Sequence, residues 1–425
     1  MITQLFQNII TFLTSLYNLL FPQTPTFYHE TAPCTALLQE TTLTKRALPN
    51  RRLITAFGIE NAFTTISPQI HQNFLNKVSA LLEKSNNDIS RRFLAADALR
   101  IGQEYIERSP SPIVSLSKLV QVVVFRTVLT IFFPHVAKGF TEDGLLKDID
   151  VKIISAQINK LWYDSKDPWK VFAAQYGPRR WSSIMREREI LLERLELQFP
   201  WYRTYLPQRN PLNILVPAHQ GLWGVVLRCL IEVRFRSQGE RRREWMELFR
   251  WFLGEPTEAW HRGNEKGLEV QMIVAETLRL YPPTKRMYIQ QEDGRLDAVD
   301  IEKMHRVGER WGDDPLVFRP ERWVEIGLDV VGTDCYMPFG RKVGVEGDGK
   351  ADTVSQCPSR LRGGPKLIAV IVGALLELLD EEWELEDGWD MKDDIFDGEP
   401  LRSGKDAYES LGLWRRHIQP FEILD

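Results

Sequence analysis

Glu276-Thr277-Leu278-Arg279-Leu280-Tyr281-Pro282-Pro283 is the stretch on which the fold turns. Apolar residues recur at three- and four-residue spacing from Leu268 to Leu280, which predicts a helix that the paired prolines end. Glu276 and Arg279 are three apart, so they share a helix face and can pair. That spacing alone is common and gains meaning from the motifs downstream of it. Trp311-Gly312-Asp313-Asp314-Pro315 leads into Phe318-Arg319-Pro320-Glu321-Arg322-Trp323. Met337-Pro338-Phe339-Gly340-Arg341-Lys342 comes next, then Cys357-Pro358, then a strong helical pattern over Leu367–Leu379. A cysteine in a loop just ahead of a helix N-terminus is placed to ionise, because unsatisfied N–H groups and the helix dipole lower its pKa.

Upstream, the first half reads as helices, among them Phe74–Leu82, Arg91–Arg108, Ser115–Phe133 and Arg186–Leu197. Leu212–Phe235 is long and apolar enough to be buried on most sides, with Pro217 a potential kink. Arg228 and Arg234 lie in its second half, and the arginines after them, interleaved with glutamates, read as a solvated helix face. Downstream, Asp380–Asp397 is acidic and reads as a solvated loop around Trp383 and Trp389. Val343–Asp352, rich in Gly and Asp, reads as a loop. No repeat or low-complexity linker divides the chain, which favours one large, mostly helical domain.

Composition narrows the classes. The 425 residues are 43% hydrophobic and 26% charged, an ordinary globular balance that excludes wholesale disorder. A net charge of −4 gives no global attraction to nucleic acid. Four cysteines in so long a chain form no disulfide framework, and Asn-x-Ser/Thr is absent, which fits the reducing side of a membrane. Zinc-site and nucleophile-elbow patterns are lacking. Ser115 and Lys118 match Ser-x-x-Lys, a spacing frequent by chance. Gly344–Lys350 has the outline of a phosphate loop but is followed by Ala351 and lacks a leading strand, so a surface loop is the better reading.

At the N-terminus, Leu5–Phe21 spans roughly 25 Å as a helix, a little short of a hydrocarbon core. Gln7, Thr11, Thr14 and Asn18 share one face, so the helix is amphipathic without charge. It reads as membrane-associated, as a core helix, or as a cleaved signal. No Lys or Arg precedes Lys45, so the flanking charge of a signal is missing.

Taken in order, these motifs resemble the cytochrome P-450 superfamily of haem-thiolate monooxygenases, most of all its fungal members. The resemblance is strongest from about Leu212 to Leu411 and includes Asp300-Ile-Glu-Lys-Met-His305-Arg306, Gly398-Glu-Pro-Leu401 and Ala407-Tyr408-Glu409. It implies a mainly α fold with small β-sheets (α+β): residues 1–28 as the N-terminal helix and 29–425 as one haem domain. It implies haem b, with Cys357 as the thiolate ligand to iron, and electrons from NADPH through a reductase. Glu276, Arg279 and Arg322 match the charge network that holds the scaffold beneath the haem. Phe339 and Gly340 match the start of the haem loop. The implied substrate is an apolar small molecule, lipid-like or of secondary metabolism. The implied location is the cytoplasmic face of the endoplasmic reticulum, or the cytosol if the first helix is no anchor.

This sequence departs from the family pattern in three places. The family's cysteine follows the landmark Phe by seven residues; here the step is 18 (357 minus 339), so 11 are extra. They read as an outward bulge that leaves the thiolate in place, or as a retained intron. Ser355 stands where the family carries an arginine for a haem propionate, with Arg341 or Lys342 as substitutes. The long helix has Ala218-His219-Gln220-Gly221-Leu222-Trp223 where the family has an acid followed by an alcohol. His219 or Gln220 is then the proton-relay candidate beside Gly221. Alternatives are a haem-dependent rearrangement enzyme and a non-catalytic remnant of the fold. No Trp-x-x-x-Arg propionate motif is found, and His71 stands near its expected place.

Overall fold

Side chains that accept orphan backbone N–H groups set many of the helix starts. The computed structural model describes Leu13, Leu16, Leu20 and residues 24–137, 148–200, 202–340, 357, 359, 363–386, 395–404 and 407–416. Strand β1 (Thr26–Tyr28) leads to α1 (Thr31–Gln39) and α2 (Leu43–Phe57), the latter capped by Thr42. Ser67 caps α3 (Pro68–Lys84), and Asn87 caps α4 (Asp88–Glu107). β2 (Val114–Ser115) feeds α5 (Leu116–Phe132), where Lys118 N–H donates to Ser115 Oγ. The Ser-x-x-Lys spacing is therefore a helix cap. Then come α6 (Asp148–Asp164), α7 (Pro168–Tyr176) and α8 (Ser183–Gln198), the last two capped by Asp167 and Ser182.

The long apolar segment is α9 (Leu212–Leu230), which runs on as a π-helical turn over Ile231–Arg236. It is followed by α10 (Gly239–Gly254), α11 (Val270–Leu280), β3 (Arg286–Gln290), β4 (Leu296–Asp300), α12 (Ile301–Val307), α13 (Arg322–Ile326), α14 (Gly364–Leu378), β5 (Trp383–Leu385) and β6 (Gly412–Arg415). The fold is mostly helical with two small sheets, as expected.

Helices α4, α5, α9 and α14 pack together at the centre. By length and composition, 25 residues from Leu212 to Arg236 are apolar enough to cross a membrane, but 72% of their most apolar window is buried inside the protein. Burial against α5, α11 and α14 accounts for that hydrophobicity. At Gly102 a Cβ would fall 2.4 Å from Leu378 Cδ2, so a larger residue there would push that half-buried side chain aside.

The sheets brace this bundle. β1 pairs parallel to β4, which pairs antiparallel to β3; β6 lies between β2 and β5. A small apolar core of Cys34, Leu38, Ile289, Val299, Ile301, Met304 and Met337 sits on the first sheet. Phe339 packs against the main core instead, so the Met337–Phe339 segment bridges the two.

Several expectations need correction. Trp383 is buried in β5, so the acidic stretch is not a loop throughout. Of the arginines that follow the long apolar segment, Arg236 is largely buried and pairs with Glu232 (2.8 Å), whereas Arg241 and Arg250 are solvated as expected; Arg228 and Arg234 are buried with the helix that carries them. Arg234 donates to the carbonyls of Leu379 (2.9 Å) and Trp383 (2.9 Å), which docks the end of α9 on the start of β5. Thr26–Tyr28, counted with the N-terminal helix, forms a strand of the first sheet. Most of Leu5–Phe21, together with Arg341, Lys342, Trp389 and the Gly344–Lys350 outline, lies outside the described residues.

Candidate functional site

One buried carboxylate organises the region after α11. Glu276 lies on the inner face of α11 with no exposed surface. Its two oxygens accept from Arg279 Nε (2.8 Å) and Nη2 (2.9 Å), Arg322 Nε (3.0 Å), Trp323 Nε1 (3.0 Å) and Arg319 N–H (3.0 Å). The arginines spend their remaining donors on backbone carbonyls. Arg279 reaches His305 O (2.8 Å) and Pro315 O (2.7 Å); Arg322 reaches Val317 O (3.0 Å) and Asp314 O (2.9 Å), and pairs with Asp314 Oδ1 (3.0 Å). Two cations face two carboxylates, so the charge is balanced, and the well-formed bonds offset its desolvation. The structure thus brings Glu276, Arg279 and Arg322 together, and the network pins the irregular segment 305–323 to α11.

His305 extends this lock to the loop beyond it. Its Nδ1 donates to Arg279 O (3.2 Å) and its Nε2 accepts from Met337 N–H (3.0 Å), which fixes the tautomer. Burial, then the neighbouring Arg279 charge, pushes the ring down to about 3, so it stays neutral. The ring stacks on Tyr336 with centroids 5.4 Å apart, and Tyr336 OH donates to Ala275 O (3.1 Å). Position 305 carries no site role in the sequence pattern. Its partners are backbone groups 26 and 32 positions away, and no spacing motif encodes them.

Phe339 and Gly340 come directly after. Gly340 N–H donates to Met337 O (2.9 Å), closing a turn. Its φ is +74°, so conformation demands glycine, and a Cβ would in addition press on Met287 Sδ at 2.9 Å. Pro338 O accepts from Thr284 N–H (3.1 Å), tying the turn to the link between α11 and β3.

Four cysteines are described, and they form no disulfide. Cys34 and Cys229 are fully buried, and burial pushes their thiols up to about 11 and about 12, so neither ionises near neutral pH. Cys335 lies 2.9 Å from Thr333 Oγ1 and lines an open cleft of about 410 Å3 with Met304 and Trp311. Cys357 is half-buried, beyond the Phe339–Gly340 turn. The next residue described as helical is Ser359, and α14 itself starts at Gly364.

The central helix separates two kinds of surface. Pro217, Ala218, Gly221, Leu222 and Gly224 are only partly buried, although α9 lies at the middle of the molecule. At 100° per residue they fall on one face. Gly221 looks toward Pro283, whose Cβ would be 3.5 Å from a Cβ at that glycine. His219 and Gln220 point elsewhere. His219 packs edge-on against Phe125 of α5 (centroids 5.3 Å), and Gln220 Nε2 donates to Asn159 Oδ1 of α6 (2.6 Å). Asn159 Nδ2 in turn donates to Gln121 Oε1 of α5 (3.1 Å).

His71 is buried on α3, with Arg46 Nη2 and Ala62 O each 3.2 Å from Nδ1. Burial, then the Arg46 charge, pushes it down to about 4. Its Nε2 is buried with no hydrogen-bond partner among the described residues. Arg46 can only donate to Nδ1 and Ala62 O can only accept from it, so the two contacts call for opposite tautomers.

Solved structures share this arrangement of elements over most of the chain. The crystal structure of CYP175A1 from Thermus thermophillus matches with a TM-score of 0.54, covering 85% of this chain and 82% of that one, at 13% identity. The chain has the cytochrome P450 fold. Cytochrome P450EX alpha (CYP152N1), solved with myristic acid, matches with a TM-score of 0.50 at 15% identity, covering 91% of this chain and 88% of its own. Among curated proteins, the bifunctional cytochrome P450/NADPH–P450 reductase of Bacillus cereus is 24% identical over 211 residues, 45% of this chain and 19% of that protein. The chain spans less than a quarter of the length of the curated relatives it matches. No protein-family profile matches it.

The residues present fit a thiolate-held haem. Cys357 supplies a soft sulfur donor outside the deep core, Gly340 keeps the preceding turn tight, the half-open stripe on α9 is apolar, and His71 Nε2 is a buried polar atom with no partner among the described residues.

Proposed function

We propose that the chain is a haem-thiolate monooxygenase acting on an apolar small molecule, with electrons delivered from NADPH by a separate reductase. The observation that carries this reading is the buried Glu276–Arg279–Arg322 network, which fixes the segment leading into Met337–Gly340 ahead of Cys357. Bound haem, held through sulfur, would supply dioxygen activation. Cys357 would hold the iron, and Phe339, Gly340 and Arg341 would shape the loop around it. His71 Nε2 would donate to a propionate. The stripe of Ala218, Gly221 and Leu222 would line the opposite side, exclude bulk water and pack against an apolar substrate. CYP152N1 was solved with myristic acid, which fits a lipid-like or secondary-metabolite substrate here. The fused reductase in the Bacillus cereus relative supports a reductase partner.

Haem loading tests the ligand. With haem supplied, Cys357→Ser is expected to lose the thiolate-type spectrum while Cys335→Ser keeps it; the reverse pattern would move the ligand to Cys335.

A second reading is a haem-dependent rearrangement enzyme or a catalytically impaired remnant. It draws on the stripe of α9, where Pro217, Ala218, Gly221, Leu222 and Gly224 offer no hydroxyl or carboxylate, and on the contacts of His219 and Gln220 with α5 and α6. NADPH consumption that tracks product one for one favours the monooxygenase; turnover without NADPH favours rearrangement; neither, with haem bound, favours the remnant.

We also place the chain at the cytoplasmic face of a membrane, held by the segment before Phe27. Removing that segment is expected to shift the protein from the membrane to the soluble fraction; unchanged partition removes the anchor.

A further inference from the structure

Three cations gather where α9, the link after α11 and the segment Glu399–Gly404 meet, and they share one carboxylate. Arg228 is buried and spends its donors on the carbonyls of Gly224 (2.8 Å), Arg402 (2.9 Å from Nε) and Gly404 (2.9 Å). Arg306 donates to Leu280 O (2.7 Å) and pairs with Glu302 (3.2 Å). Lys285 Nζ donates to Ser403 O and stands 3.8 Å from that same Glu302. Among the described residues Lys285 has no other carboxylate partner, and the strongest charges acting on it besides Glu302 are all positive, from Arg228, Arg306 and Lys166. Excess positive charge in a partly desolvated place is costly unless an anion joins it.

Depth and openness diverge at this lysine. Burial pushes its ammonium down to about 7, yet 36% of its side chain remains open. Pro283, two positions earlier on the same link, faces Gly221 of the apolar stripe.

We propose that Lys285 is a specificity-determining residue that binds the carboxylate of an apolar organic acid, with Arg228 and Arg306 supplying the surrounding positive field. The ammonium donates to the carboxylate and the apolar remainder lies along the α9 stripe. The proposal takes its pocket from the monooxygenase reading and adds the substrate's acidic end.

Equilibrium binding of dodecanoate and dodecan-1-ol to the full chain, by calorimetry, tests it. Wild type is expected to favour the acid by about tenfold or more. Lys285→Gln should remove that preference by weakening the acid alone, and Lys285→Arg should keep it. Equal binding of acid and alcohol by wild type overturns the proposal even if the Gln variant does not fold. So does a Gln variant that keeps the preference, or one that keeps it and loses haem, since the lysine would then serve a propionate. Loss of the thiolate spectrum with an intact acid preference would sink the monooxygenase reading and leave this site standing.

Discussion

Glu276 shows how one residue can decide a region. It is the shared acceptor for two fully buried arginines, so Glu276→Gln leaves Arg279 without a carboxylate partner among the described residues and Arg322 with only Asp314, whose side chain is 35% exposed. We expect a loss of about 3–5 kcal/mol in urea unfolding for this variant. Asp314→Asn should cost about 1 kcal/mol or less, because water already screens that pair. Equal effects would contradict the hierarchy. His305 adds a pH dependence. Unfolded histidine takes a proton near pH 6.5, the folded ring only near 3, so the unfolded chain binds more protons in between. Stability therefore falls as pH drops from about 6.5 toward 3, and His71, held near 4, acts with the same sign. His305→Gln should flatten that acid-side slope and cost about 1–3 kcal/mol at pH 8 through the disturbed Met337 N–H. An unchanged slope in denaturant titrations across pH would reject the role. Glu276, Arg279 and Arg322 are legible in the sequence because their types recur in recognisable order. His305 is not, since backbone partners leave no trace in side-chain spacing.

At the scale of elements, α9 is legible as a buried helix from its unbroken apolarity, and the Leu367–Leu379 pattern gives α14 to within a few residues. The sequence places Arg228 and Arg234 on a helix buried on most sides and names no partner for their charge. What the sequence does not convey is that open carbonyls of the C-terminal segment wait beside them. Arg236 adds a bond to Glu399 O (2.9 Å), while Tyr281 OH accepts from Leu401 N–H (3.1 Å) and Tyr408 OH from Arg402 N–H (2.7 Å). Arg228 and Arg236 thus act as cross-braces from α9 and its π-helical end to segment 399–404. Arg228→Met should loosen that segment: hydrogen exchange at Leu401 and Arg402 is expected to rise about tenfold or more with the centre of α9 unaffected. Unaltered exchange there would mean the carbonyl contacts do not hold the segment. The same geometry separates the faces of α9. Neighbours in sequence at 219, 220 and 221 point in different directions, so a linear motif can name the helix without assigning its faces.

Across the whole molecule, the balance of helices, two small sheets and a central bundle agrees with the cytochrome P450 fold despite identities near 13–15% to solved structures. Such distance is tolerated because the fold is fixed by apolar periodicity and by one buried charge network. The 18-residue step from Phe339 to Cys357 is the feature on which function depends, since the scaffold before it is complete and the thiol after it is half-buried. The most direct measurement is the absorption spectrum of the full chain, expressed with haem supply, reduced and exposed to carbon monoxide. A strongly red-shifted Soret band that disappears in Cys357→Ser is predicted; haem content near zero with no such band would contradict the haem-thiolate account.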